Sequence, residues 1–94
     1  MEINGILIHP DDNVVTVLRN VAEGEPVTAQ GLSDAVVARQ PVELGHKVAR
    51  RDIAQGEVIY KYGCPMGSAT QSIARGEHVH THNIASDRGR GDLQ

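Results

Sequence analysis

The chain reads as one mainly β domain of short strands joined at tight corners, and three observations point there. A six-residue device recurs, as NVAEGE at 20–25, DIAQGE at 52–57 and SIARGE at 72–77. Short segments rich in β-branched residues are punctuated at close intervals by Gly31, Pro41, Gly45, Gly63, Pro65 and Gly67. Trp and Phe are absent and Tyr60 and Tyr62 are the only aromatics, so the core must be Val, Ile, Leu and Ala. Such a thin core calls for backbone-rich β structure or a second subunit.

Each copy of the device opens on a side chain able to cap the backbone, continues with Val/Ile-Ala and reaches a Gly free to take positive φ. That describes a single helical turn with a stop. Six residues are too few for a helix, so the device serves as a corner that reverses or offsets a strand. Strands are expected at 14–19 and 47–51 before the first two corners, at 58–62 and 78–82 after the last two, and at 5–9 and 36–38. Residues 33–40 have a helical rival capped by Ser33 and Asp34, but the run is short, β-branched at its centre and stopped by Pro41. Residues 1–85 form the domain, and the polar, Gly-rich residues 86–94 are expected to be a flexible tail.

With 94 residues there is room for one domain. Nine basic and twelve acidic residues give a net charge of −3, and no stretch concentrates Lys and Arg enough for nucleic acid. The nearest basic cluster, His46, Lys47, Arg50 and Arg51, suits a small anion. No apolar run is long enough to cross a bilayer, and the first residues lack the order of a signal peptide, so a cytoplasmic location is expected. Cys64 is the single cysteine, which agrees with a reducing compartment; its plainer reading is a small residue in a turn.

Chemistry concentrates in GEHVHTHN at 76–83, where His78, His80 and His82 recur at a spacing of two. On a strand they share a face, and two imidazoles can converge on one cation if their rings lean together. The alternative is the solvated face of an edge strand. Asn83 either fixes an imidazole tautomer or ends the strand. His46 and Lys47 form a second candidate pair, able to take a proton next to a carboxylate or to hold that carboxylate; the plainer reading is a turn histidine and an exposed lysine. Adjacent strand residues face opposite ways, so the two act together only if the strand bulges or is not yet regular at His46. Asp12 and Asn13 either make a turn or offer polar groups to a polyhydroxylated ligand. YGCPMG at 62–67 lets backbone approach a ligand but matches neither a P-loop nor a dinucleotide fingerprint.

The segments DNV at 12–14, LGHKVA at 44–49, DIAQGE at 52–57, KYG at 61–63, PMGSAT at 65–70 and GEHVHTHN at 76–83 resemble, in that order, the SAF domain of altronate and galactarate dehydratases. The resemblance runs from Ile6 to Ile84 and is shared with the α subunit of sulfolactate sulfo-lyase. It implies a β-clip fold of short strands in bent hairpins, and a small subunit that works with a large catalytic subunit. The implied reaction is elimination from a sugar acid such as altronate: a proton leaves the carbon next to the carboxylate and a β-hydroxyl departs. In the sulfonate case sulfite departs instead. Divalent iron or manganese is the implied cofactor, with His80 and His82 at the metal, His46, Lys47 and His82 as catalytic groups, and Asp12 and Asn13 near the substrate. Position 78 is commonly aromatic in relatives, so His78 is left out of that set; Cys64 replaces a more often polar residue. A non-catalytic SAF binding module is the competing reading, and the His-x-His-Asn segment argues against it.

Overall fold

The computed structural model describes residues 3–85; the expected tail at 86–94 lies outside the described residues. Nine short strands follow in order: β1 (Gly5–Ile6), β2 (Val14–Val17), β3 (Pro26–Val27), β4 (Val36–Val37), β5 (Lys47–Ala49), β6 (Val58–Lys61), β7 (Cys64–Ala69), β8 (His78–Val79) and β9 (Ile84–Ala85). All pairings are antiparallel. They form three sheets, ordered β1-β2-β5-β8, β3-β4 and β6-β7-β9. No helix occurs among the described residues, so none is long and apolar enough to cross a membrane.

The three repeated corners are present, and a fourth joins them at Val42, Glu43, Leu44, Gly45 and His46. In each, the residue after the glycine donates its N–H to the carbonyl three positions back: Glu25 to Ala22 (3.0 Å), His46 to Glu43 (2.9 Å), Glu57 to Ala54 (2.9 Å) and Glu77 to Ala74 (3.0 Å). The third-position glycines Gly24, Gly45, Gly56 and Gly76 sit at φ 86°, 86°, 86° and 89°. That pattern is a β-turn with glycine at its left-handed position, not the single helical turn expected from sequence. Positive φ aims the glycine N–H out of the turn, where a helix would have pointed it back along its own axis. Those N–H groups instead reach carbonyls of Ala38 (2.7 Å), Val17 (2.9 Å), Ala69 (2.8 Å) and Ala49 (2.9 Å), respectively. The opening caps also reach across. Asn20 Oδ1 accepts the Leu44 N–H at 2.8 Å and Asp52 Oδ1 accepts the Arg75 N–H at 2.9 Å. Each thereby ties its corner to the facing one, alongside the bridges Val21↔Val42 and Ile53↔Ile73.

The corners expose an internal duplication. The path β2, corner, β3, β4, corner, β5 is repeated as β5, corner, β6, β7, corner, β8, so β5 closes one unit and opens the next. Each unit has its own aliphatic core. One gathers Val15, Val17, Val21, Val27, Val36, Ala38, Val42 and Val48; the other gathers Val14, Ala49, Ile53, Ile59, Ala69, Ile73 and Val79. Two small cores in tandem account for the elongated shape, 47 × 23 × 21 Å, and for a core without large aromatics.

The strand expected at 36–38 is β4, and the helical rival over 33–40 does not form. Three strands escaped the sequence: β3 and β9, which are two residues each, and β7, which occupies a stretch where Gly63, Pro65 and Gly67 read as turn punctuation. β7 pairs with β6 through a register shift between Ile59 and Tyr60, so its glycines and Pro65 do not interrupt the hairpin. The strand expected over 78–82 stops at Val79, because a turn closed by the Asn83 N–H on the His80 carbonyl (3.1 Å) begins there.

The corner glycines differ in surroundings, and this yields a stability prediction. A Cβ on Gly24 meets nothing, whereas one on Gly76 collides with the Val37 carbonyl oxygen. Gly24→Ala should cost about 1–2 kcal/mol, the left-handed penalty alone. Gly76→Ala should cost more than twice as much, as measured by chemical denaturation; equal losses would contradict the packing described.

Candidate metal centre at a histidine cluster

β5 and β8 pair antiparallel with Val48 opposite His78 and Lys47 opposite Val79, and continuing this register sets His46 opposite His80. His46 ends the fourth corner, one residue before β5 becomes regular. Its ring therefore need not obey strand alternation. The buried Val79 anchors β8 in the second core. The His78 N–H is held by Gln40 Oε1 at 2.8 Å. Buried Asn83 pins the rest: its Nδ2 donates to the His78 carbonyl (2.8 Å) and its Oδ1 accepts the His80 N–H (3.0 Å). Asn83 thus ends the strand and touches no imidazole nitrogen, which resolves its two sequence readings.

The rings converge. His46 stacks on His80 with centroids 4.1 Å apart and on His78 at 5.1 Å, and His46 Nδ1 lies 2.9 Å from His78 Nε2. One of those two nitrogens carries the proton and the other offers its lone pair. One potential ligand atom from each of His46, His78 and His80 lies within 4.8 Å of the others. His82 stands further out, its ring tilted 35° to His78 at 5.2 Å and exposed. Glu43 brings a carboxylate oxygen to 4.0 Å from His46 Nε2.

Electrostatics favour the neutral form of His78 and His80. Burial first, then repulsion from His46, His82, His80 and Lys47, holds the His78 pKa below the ordinary histidine value. His80 is lowered likewise by burial, His46, Lys47 and His82, against an opposing pull from Glu43. Neutral imidazoles present free lone pairs, which is what a transition metal requires. Three nitrogen donors suit Fe(II) or Zn(II), and Glu43 beside them is a further acceptor for a ligand's proton. Lys47 is only 8% exposed, and burial, reinforced by Lys61, lowers its pKa as well.

His46 and His80 therefore come together, whereas the resemblance implied His80 and His82 at the metal with His46 as a catalytic group. His78, left out on grounds of resemblance, stands between them because β8 enters the sheet opposite Val48. Lys47, the residue after His46, lies near enough to the cluster for its charge to lower the pKa of His78 and His80. Asp12 and Asn13 share no hydrogen bond with His46, His78, His80 or His82. Asp12 Oδ2 accepts the N–H groups of His9 (3.2 Å) and Tyr62 (2.9 Å), and its Oδ1 accepts that of Gly63 (2.7 Å). This holds Tyr62 at φ 59° in the turn between β6 and β7. Asn13 donates to the Val58 carbonyl (2.9 Å) and accepts the Tyr60 N–H (2.8 Å). Both side chains act as buried struts for the β6–β7 hairpin.

A family model described as the altronate/galactarate dehydratase SAF domain matches residues 3–87. The chain belongs to that family. The SAF domain here is 42% identical over 82 residues to altronate dehydratase of Bacillus subtilis and 47% identical over 82 residues to that of Escherichia coli; each match covers 87% of this chain. It spans 16% of the length of those dehydratases. Against the (2R)-sulfolactate sulfo-lyase subunit alpha of Chromohalobacter salexigens it is 36% identical over 93 residues, covering 94% of this chain and 99% of that subunit.

The lowered histidine pKa values set a pH dependence. Near and below pH 6.5 the unfolded chain binds protons at positions 78 and 80 that the folded cluster resists, so stability present above that pH is lost as pH falls. The metal-free SAF domain should melt at lower temperature at about pH 5.5 than at about pH 7.5, and His78→Asn should flatten the difference. An unchanged slope in that variant would contradict the cluster's electrostatics.

Proposed function

We propose that this SAF domain is the small subunit of a two-component elimination lyase acting on a sugar acid such as altronate. The observation that supports the two-component reading is coverage: the chain corresponds to nearly all of a separately named lyase subunit and to a small part of the much longer dehydratases. The higher identity to altronate dehydratases supports a hydroxy-acid substrate.

In the proposed reaction the C–H bond next to the carboxylate breaks, a C=C bond forms, and the β-hydroxyl leaves as water after taking a proton. His46, His78 and His80 are the residues that would hold a divalent ion, iron before manganese given the imidazole donors. Such an ion supplies Lewis-acid polarisation of the substrate carboxylate. Lys47, near enough to lower the His78 and His80 pKa values, offers an ammonium group to attract that carboxylate. His82, exposed at the cluster's rim, is the proton carrier between substrate and solvent. The remaining pocket comes from the large subunit.

A second reading, the α subunit of a sulfolactate sulfo-lyase, is favoured by the full-length match to such a subunit. In that case sulfite leaves in place of hydroxide.

The test is a graft. Residues 3–85 replace the matching segment of the Escherichia coli altronate dehydratase, and altronate consumption is followed. The chimera should turn over altronate, and His80→Ala within it should lower kcat at least 100-fold. A chimera as active with His80→Ala as without would sink the assignment. Sulfite release from (2R)-sulfolactate, when the chain is paired with the remainder of the Chromohalobacter enzyme, would move it to the second reading.

A further inference from the structure

The duplicated corners provide an internal control on His46. In three corners the residue after the glycine is a glutamate whose Oε1 folds back onto the turn. It accepts the N–H of Ala22 (3.0 Å), Ala54 (3.0 Å) and Ala74 (2.6 Å) from Glu25, Glu57 and Glu77, respectively. Two of these glutamates are also paired through their other oxygen, Glu25 with Arg19 and Glu57 with Arg51 at 2.6 Å. The fourth corner keeps the same turn, the same glycine φ and the same backbone bonds, yet His46 stands at the glutamate position. Gln40 stands where Arg19 and Arg51 stand in theirs. Neither side chain serves its own turn: Gln40 holds the His78 N–H, and the His46 ring meets that of His78. Among the described residues no side chain accepts the Glu43 N–H.

We infer that position 46 is a structural clamp position given over to the histidine cluster, so that the fourth corner trades local stability for a ligand-bearing side chain. The backbone there remains competent to accept the original residue. A glutamate or glutamine at 46 can reach the Glu43 N–H as its counterparts reach theirs, since either side chain offers the required acceptor. The inference rests on the site reading above only where metal is concerned; the clamp is a property of the fold alone.

The test compares His46→Glu, His46→Gln and His46→Ala in the metal-free full chain at about pH 8, where the neighbouring histidines are neutral. Glu57→Ala serves as the calibration of an intact clamp. His46→Glu and His46→Gln should both melt above the unsubstituted chain, by roughly 2–8 °C for one hydrogen bond in a domain of this size. His46→Ala should not. Titration with Zn²⁺ should show at least a tenfold loss of affinity in all three. Melting of His46→Glu and His46→Gln at or below that of His46→Ala would overturn the clamp, and undiminished Zn²⁺ affinity would overturn the trade. An unsubstituted chain that binds no Zn²⁺ would count against the metal reading, while the melting order still decides the clamp.

Discussion

A glycine held near φ +86° to +89° turns its N–H out of a tight corner and onto the carbonyl of a neighbouring strand, and the rest of the structure depends on that bond. Four such bonds fasten strands only two to six residues long, too short to hold a sheet by their own ladders. They also explain how an aliphatic core split in two can suffice. Each half is enclosed by a pair of corners that face each other, capped across the gap by Asn20 or Asp52.

The site follows from the same geometry. β5 belongs to both units, so the end of the first unit's second corner lies directly against the strand that closes the second unit. His46 from one and His78 and His80 from the other meet there. Asn83 and Gln40 fix the backbone on which the rings ride, which leaves the imidazoles free to choose tautomer and ligand. Among the charged groups acting on them, Lys47 is the cation and Glu43 the acid.

Much of the fold was legible because its corners repeat as a string of residues. The fourth corner was not, since Glu43, Leu44 and His46 replace the Ala, polar residue and Glu of the other copies; only the spacing from Val42 to Gly45 survives. β7 was hidden because glycines and a proline look like a loop until a register shift accommodates them. At the site, the spacing of two among His78, His80 and His82 was read along one strand, but β8 covers only His78–Val79. A strand running through all three would have aligned them, whereas a turn at Asn83 swings His82 outward and leaves His46, remote in sequence, to complete the group. Asp12 and Asn13 looked like ligand-binding residues because polar side chains between apolar strands do either job. Their burial and backbone bonds mark them as struts.

The proposed cation-binding group is His46, His78 and His80, without His82. The most direct measurement is a titration of the metal-free chain with Co²⁺, followed by visible absorption, for four single alanine variants at these positions. The account predicts one ion per chain, a loss of at least tenfold in affinity for His46→Ala, His78→Ala and His80→Ala, and little change for His82→Ala. Loss in His82→Ala together with retention in His78→Ala would contradict it and restore the pair read from the sequence.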